Sequence, residues 1–525
     1  MDVKVYDVTL RDGAQGEGIS FSVDDKIKIA RRLDRLGISY IEGGWPGSNP
    51  KDLDFFRQMK NYQLEHARLS AFSSTRRPGI SVKHDNNITA LLAAEVPVVA
   101  IFGKSWDFHV LRALETTLEE NLSMVRETVM FLKDRGLEVI FDAEHFFDGF
   151  KHNPDYALQV LGAAAHAGAD CLALCDTNGG TLPWELEEII RKVQTEIRIP
   201  LGIHAHNDSG CAVANSLVAL NLGFTQVQGT INNLGERCGN ADLCSIIPNL
   251  ELKMNKRCLP AGNLKRLTEV SHYVNEIANL PSPNNQPFVG YGAFAHKGGI
   301  HVSALLKDSA TYEHINPEDV GNRRRVLVSE LAGISNLLYK AKELKLDVNS
   351  YDAQTRAVIK QIKELENQGF QYEGADGSLE LLLRKGFGQL DDYFQLKNLK
   401  IILEKQEDSD FVAEAFIKIQ IGDQVVHTAA EGDGPVNALD NSLRKALAEV
   451  YPEISEMHLS DYKVRVLDGN RGTAARVRVL IESANQAEKW STVGVSENII
   501  EASWQALIDS VNYLLMKKRL PGEEP

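Results

Sequence analysis

The sequence has no uninterrupted apolar run of the roughly 18 residues that a membrane-spanning helix needs and no CxxC pair. Its start, MDVKVYDVTLRDG, offers no basic stretch leading into an apolar one, so neither a leader nor a membrane anchor is expected, and a cytoplasmic protein is. Six cysteines, Cys171, Cys175, Cys211, Cys238, Cys244 and Cys258, show no framework spacing and are expected to be reduced and mostly buried. A dense basic face is also lacking: the formal net charge is −15, which argues against nucleic acid as a partner. The one basic cluster, Arg323, Arg324 and Arg325, reads either as a solvated helix start or turn, or as a contact for an anionic cofactor such as a CoA phosphate.

What is present is an ordinary globular composition, 43% hydrophobic and 25% charged over 525 residues, too long for one core and expected to form roughly three or four domains. Short β-rich runs recur in the first half: VKVYDVTL, SYIEGGW, RLSAF, PVVAIFG, LEVIFDAE, CLALCDT, PLGIHAH and TQVQGTI. Between them lie amphipathic stretches such as VDDKIKIARRLDRLG and PWELEEIIRKVQTEI, several closed by a glycine that ends a helix. Eight strand-then-helix units in a row predict an α/β fold, a (β/α)8 TIM barrel over residues 1–280.

The proline-bearing segment LPSPNNQPFVGYGAF, 280–294, reads as a linker leaving the barrel, and 281–395 as linker and helical subdomains. From 396 the pattern becomes three strands and a helix, given twice: NLKIILEKQ, FVAEAFIKIQI, DQVVHTAA, then GPVNALDNSLRKALAEVY, and DYKVRVLD, AARVRVLIESA, KWSTVGVS, then IIEASWQALIDSVNYLLMKK. A duplicated βββα unit of this kind predicts a C-terminal α+β domain, 396–525, suited to ligand sensing or dimerisation. The tail LPGEEP is expected to fray.

A TIM barrel carries its chemistry at the C-terminal ends of its strands. Those ends bring Arg11 and Asp12, then Glu42, then Asp142, Glu144 and His145, then Asp176 and Thr177, then His204, His206 and Asp208, with Asn240 in GERCGN after the eighth strand. His204 and His206 are two apart, so on a strand both imidazoles face one way. Two hydrogen-bonded histidines and a metal pair both fit that spacing, and an aspartate from another strand favours the metal. Two nitrogens, a carboxylate and waters suit Mn, Mg or Zn without choosing among them. Arg11 beside Asp12 either stabilises a developing oxyanion or forms a structural ion pair with Glu42; one arrangement can do both. Glu144 is a candidate base or a salt-bridge partner.

The stretches VTLRDGAQGEG, IEGGWPGSNPKD, DTNGG, HAHND, NNLGERCGN and GGIH together resemble the DRE-TIM metallolyase family over nearly the whole chain. The length, the GERCGN loop and the duplicated unit resemble its Claisen-condensing branch, the 2-isopropylmalate, homocitrate and citramalate synthases. Within that branch GWPGSNPKD and DAEHFFDGF look most like the citramalate-synthase group.

The resemblance implies a metal shell of Asp12, His204, His206 and Asn240, with Arg11 on the 2-oxo group, Glu42 orienting it and Thr177 on the substrate carboxylate. Glu144 would help activate the acetyl group of acetyl-CoA, with Glu144 and His301 the candidates for base catalysis and Tyr312 a further catalytic residue. His301 and Tyr312 match residues that the family's helical region sends over the partner subunit's barrel, which implies a homodimer. The implied reaction joins acetyl-CoA to pyruvate, with water then hydrolysing the thioester. The C-terminal unit resembles a regulatory domain that binds the pathway's end-product amino acid, isoleucine if the product is citramalate. A synthase for a larger 2-oxo acid, an acyl-CoA lyase on the same barrel, and an amino-acid sensor on a decayed barrel are the rival readings.

Overall fold

The computed structural model describes residues 2–329, 333–346, 348, 353–405 and 410–519. It divides into two compact units, Met1–Phe294 with His314–Arg324, and Ala295–Glu313 with Arg325–Pro525.

In the first unit the eight expected runs are the eight strands of a closed parallel barrel: β1 Lys4–Asp7, β2 Tyr40–Glu42, β3 Arg68–Ser74, β4 Val98–Lys104, β5 Glu138–Glu144, β6 Cys171–Asp176, β7 Leu201–Ala205 and β8 Gln226–Gly229. The ring closes where Val5 of β1 lies opposite Val227 of β8. Near-continuous apolar strands follow from this arrangement, because a barrel strand is buried on both faces. Along β4 the two faces separate by alternation: Val98 and Ala100 join Tyr6, Tyr40 and Ile140 inside the barrel. Val99 and Ile101 pack outward with Ile41, Phe141 and the helices. The helix Val23–Leu36 shows how local sequence sets the outer layer. Ser22 and Asp25 form a capping box at its start and Gly37, at φ +99°, ends it, while Ile27, Ala30 and Leu33 turn inward. Such a cap contributes about 1 kcal/mol.

The segment 281–294 does not leave this unit. Phe288, Val289 and Phe294 are buried in the barrel's outer core together with Val320, so three apolar anchors hold the proline-bearing turns down, and His314–Arg324 belongs to the same unit.

In the second unit Ala295–His296 (β9) pairs in parallel with Arg325–Val326 (β10), followed by the helices Ile334–Glu343, Ala353–Gln368 and Asp376–Gly386. The duplicated pattern is two three-stranded antiparallel sheets. The first holds β11 Gln395–Glu404, β12 Val412–Ile421 and β13 Gln424–Gly432, closed by the helix Pro435–Leu447. The second holds β14 His458–Val466, β15 Val477–Ala484 and β16 Lys489–Ser496, closed by the helix Ile499–Arg519. Ala413, Ala415, Ile417, Ile419 and Ile421, every second residue of β12, pack into a core shared with both closing helices.

That core reaches back before residue 396 to Leu381 and Phe394, and a second apolar cluster also spans residue 396. Val493 and Val495 pack with Tyr372, Leu379 and Leu383, Ser378 donates to Asp509 at 2.6 Å, and Arg478 donates to the Gly369 carbonyl at 2.6 Å. The tail LPGEEP lies outside the described residues. All six cysteines are free and four are buried. Among the described residues no helix is long and apolar enough to cross a membrane.

Candidate active site

The loop after β1 is held by a buried carboxylate: Asp7 accepts from the Thr9 N–H and hydroxyl, each at 2.9 Å, and Thr9 in turn accepts from Ile231 N–H after β8 at 2.9 Å. Burial pushes the Asp7 carboxyl up to about 7. Arg11 and Asp12 follow on a tight turn, with both Arg11 and Gly13 N–H groups donating to Val8 O.

The Arg11 guanidinium is engaged on several sides. Nε donates to Glu42 Oε1 at 2.6 Å, Nη1 donates to Asp12 Oδ2 at 2.8 Å, and its carbon sits 3.8 Å from the Phe72 ring centre. Glu42 Oε2 accepts from Tyr6 at 2.7 Å, so both oxygens of this fully buried carboxylate are used. Burial drives the Glu42 carboxyl upward and Arg11 opposes it. The Asp12 carboxyl, although burial alone would raise it, is held well below the usual range by Arg11 and the two histidines.

His204 ends β7's inward row and His206 lies one residue past the strand; their Nε2 atoms are 3.3 Å apart. His204 Nε2 is 3.9 Å from Asp12 Oδ2. Burial, reinforced by His206, depresses His204 to about 4, and burial also lowers His206; both imidazoles are therefore neutral at pH 7. The orientation of His204 is fixed from behind, since Nδ1 meets Gln228 Oε1 at 3.0 Å and Gln228 Nε2 donates to Asp142 at 2.9 Å. Burial and then Glu42 push Asp142 up to about 7. Asn240 donates from Nδ2 to Asp12 Oδ1 at 2.7 Å, while its Oδ1 and His206 Nδ1 are buried without a partner.

One ligand atom from each of Asp12, His204 and His206 falls within 4.8 Å of the others. With ligand bonds of about 2.0 to 2.2 Å, donors of one ion stand about 3 to 4 Å apart, so the spacing fits a single divalent cation. The neutral imidazoles, the ionised carboxylate and the unpartnered Asn240 oxygen fit it chemically.

Arg11, Asp12, His204 and His206 line a cavity of about 220 Å3 together with Trp45, Phe72, Phe102, Glu144 and Thr177. Glu144 forms an ion pair with Lys104. The Thr177 hydroxyl accepts from His145 N–H at 2.9 Å, with His145 in the left-handed region at φ +56°. Arg237, from GERCGN, donates to Asp208 at 2.8 Å and to the Thr177 carbonyl at 2.7 Å, tying three of the loops together. His301 and Tyr312 lie in the other unit, where their rings stack 4.2 Å apart at 25°. Arg323 is exposed on the turn after a short 3-10 helix ending at Val320, and Arg325 opens β10.

Residues 2–274 match the HMGL-like family. The chain belongs to the HMGL-like family. Residues 288–369 match the homocitrate synthase post-HMGL domain-like family, and 373–515 match the LeuA allosteric (dimerisation) domain. The HMGL-like chain is 55% identical to an (R)-citramalate synthase of Geobacter sulfurreducens over 98% of each chain. It is 55% identical to that of Aquifex aeolicus over 99% of each, and 51% identical to that of Synechocystis over 97% of this chain and 95% of the other.

Sequence reasoning passed over Gln228, Lys104 and the aromatic wall of this HMGL-like barrel. The signal for Gln228 was the run QVQG, where two glutamines at inward positions of an otherwise apolar barrel must have polar partners.

Proposed function

We propose that the chain condenses acetyl-CoA with pyruvate and water to give (R)-citramalate and CoA. What carries the reading is the 55% identity to two (R)-citramalate synthases over almost the full length of every chain. The small cavity lined by Arg11, Asp12, His204 and His206 supports it.

In this reading Asp12, His204, His206 and Asn240 hold a divalent cation, Mn, Mg or Zn, which supplies Lewis acidity toward the keto group when bound. Arg11 has Nη2 left over after Glu42 and Asp12 take its other edges, and it donates to the oxygen that becomes the product's alkoxide. Thr177 binds the pyruvate carboxylate. Glu144, set in position by Lys104, takes a proton from the acetyl methyl group, and the new carbon bond forms at the keto carbon. His301 and Tyr312 act on the acyl-CoA from the helical region of a partner subunit in a homodimer. Water then hydrolyses the thioester, which makes the synthesis irreversible. Such an enzyme works in the cytoplasm at the head of an isoleucine pathway, and isoleucine is the effector assigned to the C-terminal domain.

The test incubates full-length protein with acetyl-CoA, Mn2+ or Mg2+ and one 2-oxo acid at a time, following free CoA thiol. Pyruvate is expected to give the highest kcat/KM; faster turnover of 2-oxoisovalerate or 2-oxoglutarate would replace the assignment by that of a larger-acid synthase.

A further inference from the structure

Lys26 lies in the first turn of the helix Val23–Leu36, where VDDKIKI would put a solvated lysine, yet it is 2% exposed. Its ammonium donates to the Gly43 carbonyl at 3.0 Å and forms an ion pair with Asp52. The other Asp52 oxygen accepts from Trp45 N–H at 2.8 Å. The Trp45 carbonyl in turn accepts from Ser48 N–H at 3.0 Å and Asn49 N–H at 3.3 Å. Both ends of the Trp45 main chain are therefore fixed by a buried charge pair and a turn. The fit has no slack: Gly44 is at φ +152°, and a Cβ there would come 2.4 Å from the Asp52 carboxyl carbon.

The ring so placed is a wall of the cavity that also holds Arg11, Asp12 and the histidines. Its edge meets Phe72 and Phe102, each at 5.6 Å between centres and close to perpendicular, and those two rings stack at 5.3 Å. The indole Nε1 is buried with no partner. The clamp thus sets where this N–H and the ring stand at the edge of the cavity.

We propose that Trp45 is a specificity-determining residue that limits the side chain of the 2-oxo acid, and that the buried Lys26–Asp52 pair is its positioning device. The inference rests on the condensing-synthase reading given above. A rigid indole fixed at both ends of its backbone rejects branched acids by overpacking, whereas a ring on an untethered loop would yield to them.

The experiment compares the full chain with Trp45→Phe, Trp45→Leu, Asp52→Asn and Lys26→Met. It records kcat/KM for pyruvate, 2-oxobutyrate and 2-oxoisovalerate, the KM for acetyl-CoA, and, by calorimetry with Mn2+ and no acetyl-CoA, the dissociation constant of each oxo acid. Trp45→Leu is expected to shift the preference for pyruvate over 2-oxoisovalerate at least about tenfold toward the larger acid, in turnover and in binding. Trp45→Phe, which keeps a ring and folds most safely, gives a smaller shift in the same direction. Asp52→Asn and Lys26→Met are expected to move the same ratio with the KM for acetyl-CoA unchanged, which a loss of general stability would not do. An unchanged ratio in both Trp45 variants overturns the specificity role; a shift there but none in the Asp52 and Lys26 variants overturns the positioning role. If the wild-type chain turns over no oxo acid, the condensing reading fails, and the binding ratios still decide whether Trp45 measures the ligand.

Discussion

Asn240 donates to Asp12 Oδ1 at 2.7 Å across 228 residues of sequence, so the loop after β8 fixes the carboxylate that follows β1. With Asp12 turned by this bond and its other oxygen held by Arg11, the carboxylate has one presentation toward the histidines. Asn240→Ala is expected to weaken Mn2+ binding by about 10- to 100-fold, read by calorimetry, with the melting temperature within a few degrees of wild type. Asp12→Asn and His204→Ala are expected to lose both cation binding and turnover. Full activity after exhaustive chelation would refute the metal assignment.

Gln228 is the link through which Asp142 orients His204. Gln228→Leu keeps the volume and removes both hydrogen bonds, leaving a buried carboxyl and a ring nitrogen without partners. The variant is expected to lose about 1 to 3 kcal/mol of stability and 10- to 100-fold in cation affinity. A stability loss with cation affinity untouched would leave Gln228 a packing residue.

In the second unit, burial lifts the Asp509 carboxyl from its usual 3.8 to about 6, against the hydrogen bond from Ser378. A carboxyl whose folded value is raised stabilises the fold in its neutral form. That contribution is whole below about 3.8 and disappears as pH rises through about 6. Relative to Asp509→Asn, the wild type should lose about 2 to 3 kcal/mol between pH 4 and pH 7. Urea titrations of both proteins across that range measure it, and parallel curves would contradict it.

The apolar core that Val493 and Val495 share with Tyr372, Leu379 and Leu383 bears on how feedback control can be tested. A chain ending at Gln395 strips those residues of their cover, and it is expected to aggregate or to melt well below the full-length protein. Isoleucine, leucine and valine are therefore best titrated against the whole chain. Isoleucine is expected to inhibit with a coupling of about 1 to 3 kcal/mol; no inhibition by any of the three would leave the domain without this role.

The barrel was legible because short, near-continuous apolar runs such as β4 recur between amphipathic stretches, and because polar side chains gather where those strands end. The two sheets were legible for a different reason, with β12 alternating along its whole length. Lys26 was not, since a lysine in the first turn of an amphipathic helix looks solvated until Asp52 and the Gly43 carbonyl are brought to it by the fold. That the first compact unit runs on to Phe294 was hidden for a related reason. Prolines mark turns, but whether a turn is free or nailed down depends on where Phe288, Val289 and Phe294 find partners, and that is long-range information. The helical residues that join the core of the sheets were hidden too, because a strand begins near 396 while the hydrophobic surface beneath it starts earlier, at Leu381. His301 and Tyr312 carried no local signal at all; their ring stack appears only once the chain is folded.

The Arg11 guanidinium is used along two edges and one face at once, by Glu42, Asp12 and Phe72. An ammonium group is a point, and it could satisfy one of these partners while abandoning the others. Lysine at position 11 would thus keep the charge and forfeit the geometry, freeing Asp12 to turn and Phe72 to tilt. Charge conservation is no measure of tolerance at this position, because what the fold has fixed there is a plane.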